Sequence, residues 1–199
     1  MANTACKGFS PLRRLGGGSI TYKRGRVLTN NTTAIFKGDA VVITATGDYV
    51  AQSTGTTFTA SVAWGALYQS ATTGQMIAGK YLPAATLYTS TGVAPANMSQ
   101  IYVVEDPIDT LFEASVTQAI ALTDLNLNFA ITLTAGSTTT GLSGHVLTSA
   151  GANTTATIPW RVRDFIIRAD VDPDLANAHV ECQVNAGMTE PAISLLVGT

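Results

Sequence analysis

The chain has 199 residues, of which 46% are hydrophobic and 12% charged, with a formal net charge of −2. Charged residues stand at about half the ~25% usual for soluble domains, and Thr, Ala and Gly fill the gap. This balance favours strands and turns over helices, and no apolar stretch approaches the ~20 residues of a membrane-spanning helix.

A chain of this length accommodates one domain of ordinary size with a short appendage. It can bury roughly 70% of the surface its unfolded form exposes, so it needs no disulfide or metal for stability. The two cysteines, Cys6 and Cys182, read as two thiols rather than a stapled framework. The N-terminal MANTACKGFSPLRR has no apolar core run, so no signal peptide is expected and synthesis is placed in the cytoplasm.

Charge is unevenly distributed. Lys7, Arg13, Arg14, Lys23, Arg24, Arg26 and Lys37 lie within residues 1–37, which hold no acid. The remainder holds Lys80, Arg161, Arg163 and Arg168 against all 13 acids. Residues 1–32 therefore read as an extended basic N-terminal arm, and 33–199 as the body. Gly8, Pro11, Gly16 to Gly18 and Gly25 interrupt periodicity in the arm. Phe9, Leu12, Leu15, Ile20 and Tyr22 give it apolar anchors that a purely solvated tail would not need.

In the body, Ile35-Phe36 and Ala40 to Ile43 read as strands around Lys37-Gly38-Asp39. Gly47-Asp48 turns the chain into Tyr49-Val50. Val62 to Tyr68 alternates, with Trp64 and Tyr68 on one face and Ala63, Gly65 and Leu67 on the other. Residues 53–59 and 70–78 read as loops, Pro83 argues against a central strand around it, and 92–99 lead into the next strand. Ile101 to Val104 and Leu111 to Val116 form two core strands joined by the acidic turn Glu105-Asp106-Pro107. A short helix is expected over 117–125. Asn128 to Leu133 alternates as a half-buried strand. Residues 135–157 suit a long surface excursion with short edge strands around Leu142 and Val146. Trp160 to Ile167 sets Val162 against Arg161 and Arg163. His179 to Asn185 turns Val180, Cys182 and Val184 inward, and the terminal AISLLVGT is apolar enough for a strand or a partner contact. Strand runs every eight to fifteen residues, with little helical periodicity, specify an all-β antiparallel sandwich or barrel.

Candidate chemistry is sparse. Asp170, Asp172 and Asp174 resemble the start of a Ca²⁺ loop, but Leu175 stands where that loop needs Gly, so an Asp/Pro turn is the expectation. Glu105 and Asp106 are adjacent and would point opposite ways in a strand, which disfavours a carboxylate pair. His145 and His179 lack further ligands at zinc spacing. Gly141-Leu142-Ser143-Gly144 falls one residue short of a nucleophile elbow, and a Ser-His-Asp triad remains open. Gly16-Gly17-Gly18-Ser19 lacks the lysine of a phosphate loop and reads as a linker. Trp64, Trp160, Phe112, Phe129 and Phe165 read as core rather than as a carbohydrate platform. No enzyme activity and no cofactor are expected. The basic arm could touch phosphates, but its apolar residues fit a protein groove better.

Gly8 to Arg13 (GFSPLR), Thr33 to Val41 (TAIFKGDAV), Tyr102 to Ala114 (YVVEDPIDTLFEA), Asp124 to Phe129 (DLNLNF), Leu133 to Gly144 (LTAGSTTTGLSG) and Ala156 to Val162 (ATIPWRV) follow one another in an order that is distinctive as a set. Together these stretches resemble the decoration, or cement, proteins that coat the capsids of tailed bacteriophages. The resemblance implies a small β-sandwich or barrel that binds the outside of the virion shell as a homo-oligomer, a trimer before a dimer, with the major capsid protein as partner. It implies no catalytic residues, no direct nucleic-acid contact and no membrane. The expected contact residues are Phe9, Leu12, Arg13, Arg14, Leu15, Tyr22, Lys23, Arg24 and Arg26. A host-surface or glycan-binding β-sandwich on a virion appendage is the alternative.

Overall fold

The computed structural model describes residues 3, 4, 7–27, 32–70, 73, 75–84 and 99–185. Cys6, residues 92–98 and the apolar terminus 192–199 lie outside them. The fold is an all-β sandwich. One sheet holds β10 (Thr110–Ser115), β11 (Asn128–Thr132), β12 (Val146–Asn153), β13 (Trp160–Phe165) and β14 (His179–Val184), with β1 (Ser10–Arg14) at one edge. Its order is β1-β10-β14-β13-β11-β12. The other sheet runs β2-β9-β6-β4-β5, built from β2 (Tyr22–Arg26), β4 (Ala40–Ile43), β5 (Tyr49–Ala51), β6 (Ser61–Gln69) and β9 (Gln100–Val104). β7 (Met76–Gly79) adds to β6, and β3 (Ile35–Phe36) pairs β8 (Tyr81–Leu82) as a small separate ribbon. Every strand pair among these is antiparallel.

Alternation along the strands places the core. Phe112, Ala114, Phe129, Trp160, Val162, Val180 and Cys182 turn inward from the first sheet to meet Ala40, Val62 and Val104 of the second. The far face of the second sheet is covered too. Val41, Ala63, Ala66, Ile101 and Val103 pack there with Val27, Ile35, Tyr49 and Leu82. Ala63 and Ala66 share this face although three residues apart. A register shift between Ala63 and Gly65 inserts an extra residue opposite β9, and a bulge of this kind offsets the two-residue alternation. The simple alternation expected for Trp64 and Tyr68 fails at that point: Tyr68 packs with Ala63 against the far-face core.

Three further expectations are corrected. Residues 117–125 form no α-helix; a single 3-10 turn spans Leu122–Asp124. Val116 bridges Leu147 and Thr117 donates to the Leu147 carbonyl, so sheet contacts hold the stretch instead. Residues 76–78, expected as loop, belong to β7, which pairs with β6. β12 is eight residues long, where only a short edge strand was expected.

The largest revision concerns residues 1–32. The described residues of this segment include strands over Ser10–Arg14 and Tyr22–Arg26, and both strands belong to the sheets of the body. β1 pairs with β10 and β2 with β9. β9 and β10 lie in different sheets and pair with neither each other nor a common strand. The acidic turn at 105–109 therefore carries the chain across the sandwich, and the loop at 15–21 crosses beside it. Leu15 N–H donates to the Asp109 carbonyl at 2.8 Å and Glu105 N–H to the Thr21 carbonyl at 3.0 Å, so the pairing is carried through the crossing. Arg14 clasps the turn, 2.8 Å from Asp106 and 3.3 Å from Asp109. Backbone edge donors and acceptors must be satisfied, and β10 and β9 would each lose a neighbour without the N-terminal strands.

Phe9 lies just before β1 and is 1% exposed. Its ring stacks on Trp160 with centroids 4.0 Å apart and planes 4° apart, and Phe112 meets Trp160 edge-on at 5.3 Å. The route to that position needs Gly8, whose φ of +79° and close approach (a Cβ would sit 2.4 Å from the Ser143 Cβ) exclude a side chain. Phe9→Ala is expected to destabilise the fold by about 3–5 kcal/mol, the range for a large aromatic removed from a core. Leu15→Ala, at a site 49% exposed, should change stability by less than about 0.5 kcal/mol. Urea denaturation measures both; equal, small effects would restore a free arm.

Candidate functional site

Among the nine residues expected at a partner surface, the fold makes a division. Phe9 belongs to the inter-sheet core and cannot reach a partner. Arg13 pairs with Glu181 at 2.9 Å, Arg14 with the acidic turn, and Arg26 with Asp48 while also donating to the Thr46 carbonyl at 2.9 Å. These three cations are held by the subunit's own acids. Leu12, Leu15 and Tyr22 are 39%, 49% and 39% exposed, and Lys23 and Arg24 are exposed. The exposed members of the expected set are thus Leu12 and Leu15 beside one sheet and Tyr22, Lys23 and Arg24 on the other, with Arg13 and Arg26 exposed but engaged by acids of the same subunit.

Tyr22 and Arg24 stand two residues apart on β2, opposite Val104 and Tyr102 of β9. Side chains two apart share a face, and directly opposed pairs touch across strands. Val104 is buried in the inter-sheet core, whereas Tyr102 is half-buried, so the core fades along this face. On the face left open, the Arg24 guanidinium lies 5.8 Å from the Tyr102 ring centre. Tyr22 stacks on Trp64, centroids 5.9 Å apart and planes 14° apart. The Lys37 ammonium sits 3.6 Å from the centre of the Trp64 ring, a close cation–π contact. Burial and the neighbouring Lys80 charge lower the Lys37 pKa, and burial raises that of the Tyr22 hydroxyl. Lys7, Lys37, Trp64, Glu113 and Leu142 help to line a cleft of about 280 Å³ next to this pair. The result is a basic and aromatic patch built by β2, β6, β9 and the turn after β3. Sequence reading placed Trp64 in the core and did not connect it with Lys37. Trp64 is the extra residue of the bulge in β6, on the face where Tyr22 and Lys37 meet it.

One aspartate, one serine and one histidine do meet, with Asp39 drawn from a stretch read only as a turn. Asp39, Ser143 and His145 are 3%, 4% and 7% exposed. Their wiring is not that of a triad. Ser143 makes no hydrogen bond to the imidazole; its Oγ accepts the backbone N–H of His145 at 3.0 Å. His145 Nδ1 accepts the Ala40 N–H at 3.3 Å, which puts the ring proton on Nε2, 3.6 Å from Asp39 Oδ1. That separation is too long for a hydrogen bond. Asp39 Oδ2 accepts the Phe36 N–H at 2.7 Å. The trio ties the turn after β3 to the 141–145 loop, and activation of Ser143 by His145 would need a bond that does not exist here.

The remaining histidine and acids also bind protein groups. His179 Nδ1 lies 2.8 Å from Glu113 Oε1, Arg168 reaches the same carboxylate, and His179 Nε2 lies 2.8 Å from the Thr4 carbonyl. Asn3 and the Asp172 backbone exchange two hydrogen bonds, at 2.6 and 2.8 Å. Asp172 Oδ1 accepts the Asp174 N–H at 3.0 Å, an Asx turn. Among the described residues no three His, Cys, Asp or Glu side chains gather as metal ligands, and no helix is long and apolar enough to cross a membrane. Trp160, Phe112 and Phe129 are core residues, 0% exposed. No family model, curated protein or solved structure matches this chain.

Burial lowers the His145 pKa from 6.5, outweighing the attraction of Asp39, so the folded state resists a proton that the unfolded chain accepts. Stability from this group is present above pH 6.5 and is lost as pH falls below it, with a slope of at most about 1.4 kcal/mol per pH unit. Asp39, whose pKa burial raises from 3.8, acts in the opposite sense as pH rises above 3.8. His145→Gln retains an acceptor for Ala40, and urea midpoints at pH 7.5 and 5.5 should converge in that variant relative to the parent. An unchanged difference would mean that folding does not shift the His145 pKa.

Proposed function

We propose that this protein is a virion structural protein that binds the outside of a bacteriophage capsid and clamps neighbouring capsid subunits. The carrying observation is the basic and aromatic patch around Tyr22, Arg24, Lys37 and Trp64, joined to the edge strands β1 and β2. This surface combines a rigid aromatic pair with cations that have no acid from their own subunit among the described ion pairs. Aromatic and arginine side chains are the residues that anchor protein interfaces. The sequence resemblance to decoration proteins supports the same reading.

The mode of binding differs from a flexible arm. Strands already paired within the subunit lose little conformational entropy on docking, whereas an arm ordered at the interface would lose much more. Arg24, Lys23 and Lys37 supply charge complementary to acids on a shell, Leu12 and Leu15 fill shallow hollows, and the outer backbone edges of β1 and β2 can accept a further strand. Assembly as a homo-oligomer, a trimer before a dimer, multiplies a modest single contact by avidity of ~10²–10⁴. Placement on the virion exterior and synthesis in the host cytoplasm belong to the same proposal.

A glycan-binding module on a virion appendage is the second reading, favoured by the half-exposed Tyr22–Trp64 stack, although Lys37 already occupies one face of the indole. Binding of purified protein to capsids encoded with it tests the first reading. Lys23→Glu with Arg24→Glu should leave the fold intact and weaken capsid binding by about tenfold or more, with parent affinity falling as salt rises. Parent protein that ignores capsids but retains a glycan on an array would transfer the patch to the second reading.

A further inference from the structure

A second cationic site lies on the outer face of the first sheet, away from the patch above. Arg161 and Arg163 stand two residues apart on β13, facing away from the core that takes Trp160 and Val162. Neither forms an ion pair among the described residues. Each is held by a neutral amide instead. Arg161 Nε donates to Asn128 Oδ1 at 3.1 Å, and Arg163 Nε donates to Gln183 Oε1 at 2.9 Å. Both amides are buried, Asn128 at 0% and Gln183 at 7% exposure.

Both amides are also fixed in orientation. Asn128 Nδ2 donates to the Thr155 carbonyl at 2.8 Å, and Gln183 Nε2 donates to the Ile108 carbonyl. A carbonyl accepts only, so the amide nitrogens must face the backbone and the amide oxygens must face the arginines. Each guanidinium is thereby anchored through its Nε edge. Arg163 Nη1 reaches Asn126 Oδ1 at 3.4 Å, which leaves Arg163 Nη2 and both terminal nitrogens of Arg161 without a hydrogen bond among the described residues. The two arginines line a concave pocket of about 170 Å³ with Thr154, Ala156, Val184 and Asn185, and no carboxylate lines it. Glu181 and Asp164 line the adjoining hollow. Glu181 is engaged by Arg13, and Asp164 Oδ1 accepts the N–H of Phe165 at 2.8 Å.

From this geometry we infer that the Arg161–Arg163 pocket is a binding site for one small oxyanion, a phosphate or carboxylate group held by the terminal guanidinium nitrogens. Two like charges fixed side by side repel, and an oxyanion that accepts from both relieves the repulsion while completing their hydrogen bonds. Burial and the Arg161 charge lower the Arg163 pKa, in keeping with a cation short of a counter-charge. The oxyanion has two sources, free phosphate or an acidic side chain presented by a neighbouring protein. The inference does not depend on the proposed capsid role.

The test uses the full chain at fixed ionic strength, with chloride exchanged for phosphate in one arm and for acetate in the other. Arginine Nε–Hε NMR signals and the melting temperature are followed. A saturable shift of the Arg161 and Arg163 signals with a rise in Tm is expected. Saturation in phosphate alone identifies the free anion as ligand, and saturation in acetate identifies the carboxylate source. Arg161→Gln and Arg163→Gln should each weaken binding by about tenfold or more. Gln183→Glu, which supplies an internal carboxylate to Arg163, should abolish binding while the chain stays folded. No saturable shift in either anion, or equal shifts in the folded variants, would overturn the site.

Discussion

The structure depends on two segments crossing the sandwich together. Residues 10–26 and 100–115 each leave one sheet and enter the other, and they are hydrogen-bonded to each other on both sides of the crossing. Either alone would leave a bent chain with unsatisfied backbone groups at a corner. Together they form a continuous two-stranded ribbon that closes one flank of the molecule, fastened by Arg14 on the acidic turn. The tight packing of Gly25 against the Tyr49 ring belongs to the same closure. A Cβ there would lie 2.4 Å from the ring, so only glycine lets β2 lie flat over the second core.

This closure redefines what the basic N-terminal stretch does. Its cations are distributed between internal roles and an outward one. Arg13, Arg14 and Arg26 answer acids of the body, which is why the acid-free start and the acid-rich remainder balance each other within one subunit. Lys23 and Arg24 stay outward on an edge strand, where charge also discourages indiscriminate strand addition. The edge at β7 is different: Met76 and Ile77 are 50% and 37% exposed and the strand carries no charge.

Much of the body was legible because its strands are half-buried and uninterrupted. Alternation at Phe129, Ile131 and at Val180, Cys182, Val184 marks both strand and inward face, and the turn at 105–109 is announced by Pro107. The edges were not legible. β1 and β2 hold Arg, Lys, Pro and Gly because one side of each is solvated, and the same composition describes a loose tail. The bulge in β6 was hidden because Ala, Trp and Gly permit either facing. Of the functional surface, the cations and Tyr22 could be named in advance, but their assignment to self or partner rests on long-range pairing that no local pattern encodes. The amides beneath Arg161 and Arg163 lie 20 or more positions away in sequence and were equally invisible.

The order of synthesis gives the closing ribbon a temporal side. β1 and β2 are synthesised before their partners, β10 and β9, which follow after more than seventy further residues. Loops this long make the contact slow to form. Until it does, Phe9 has no indole to lie against. Charge on these strands also disfavours association through their open edges while the partners are still to be made.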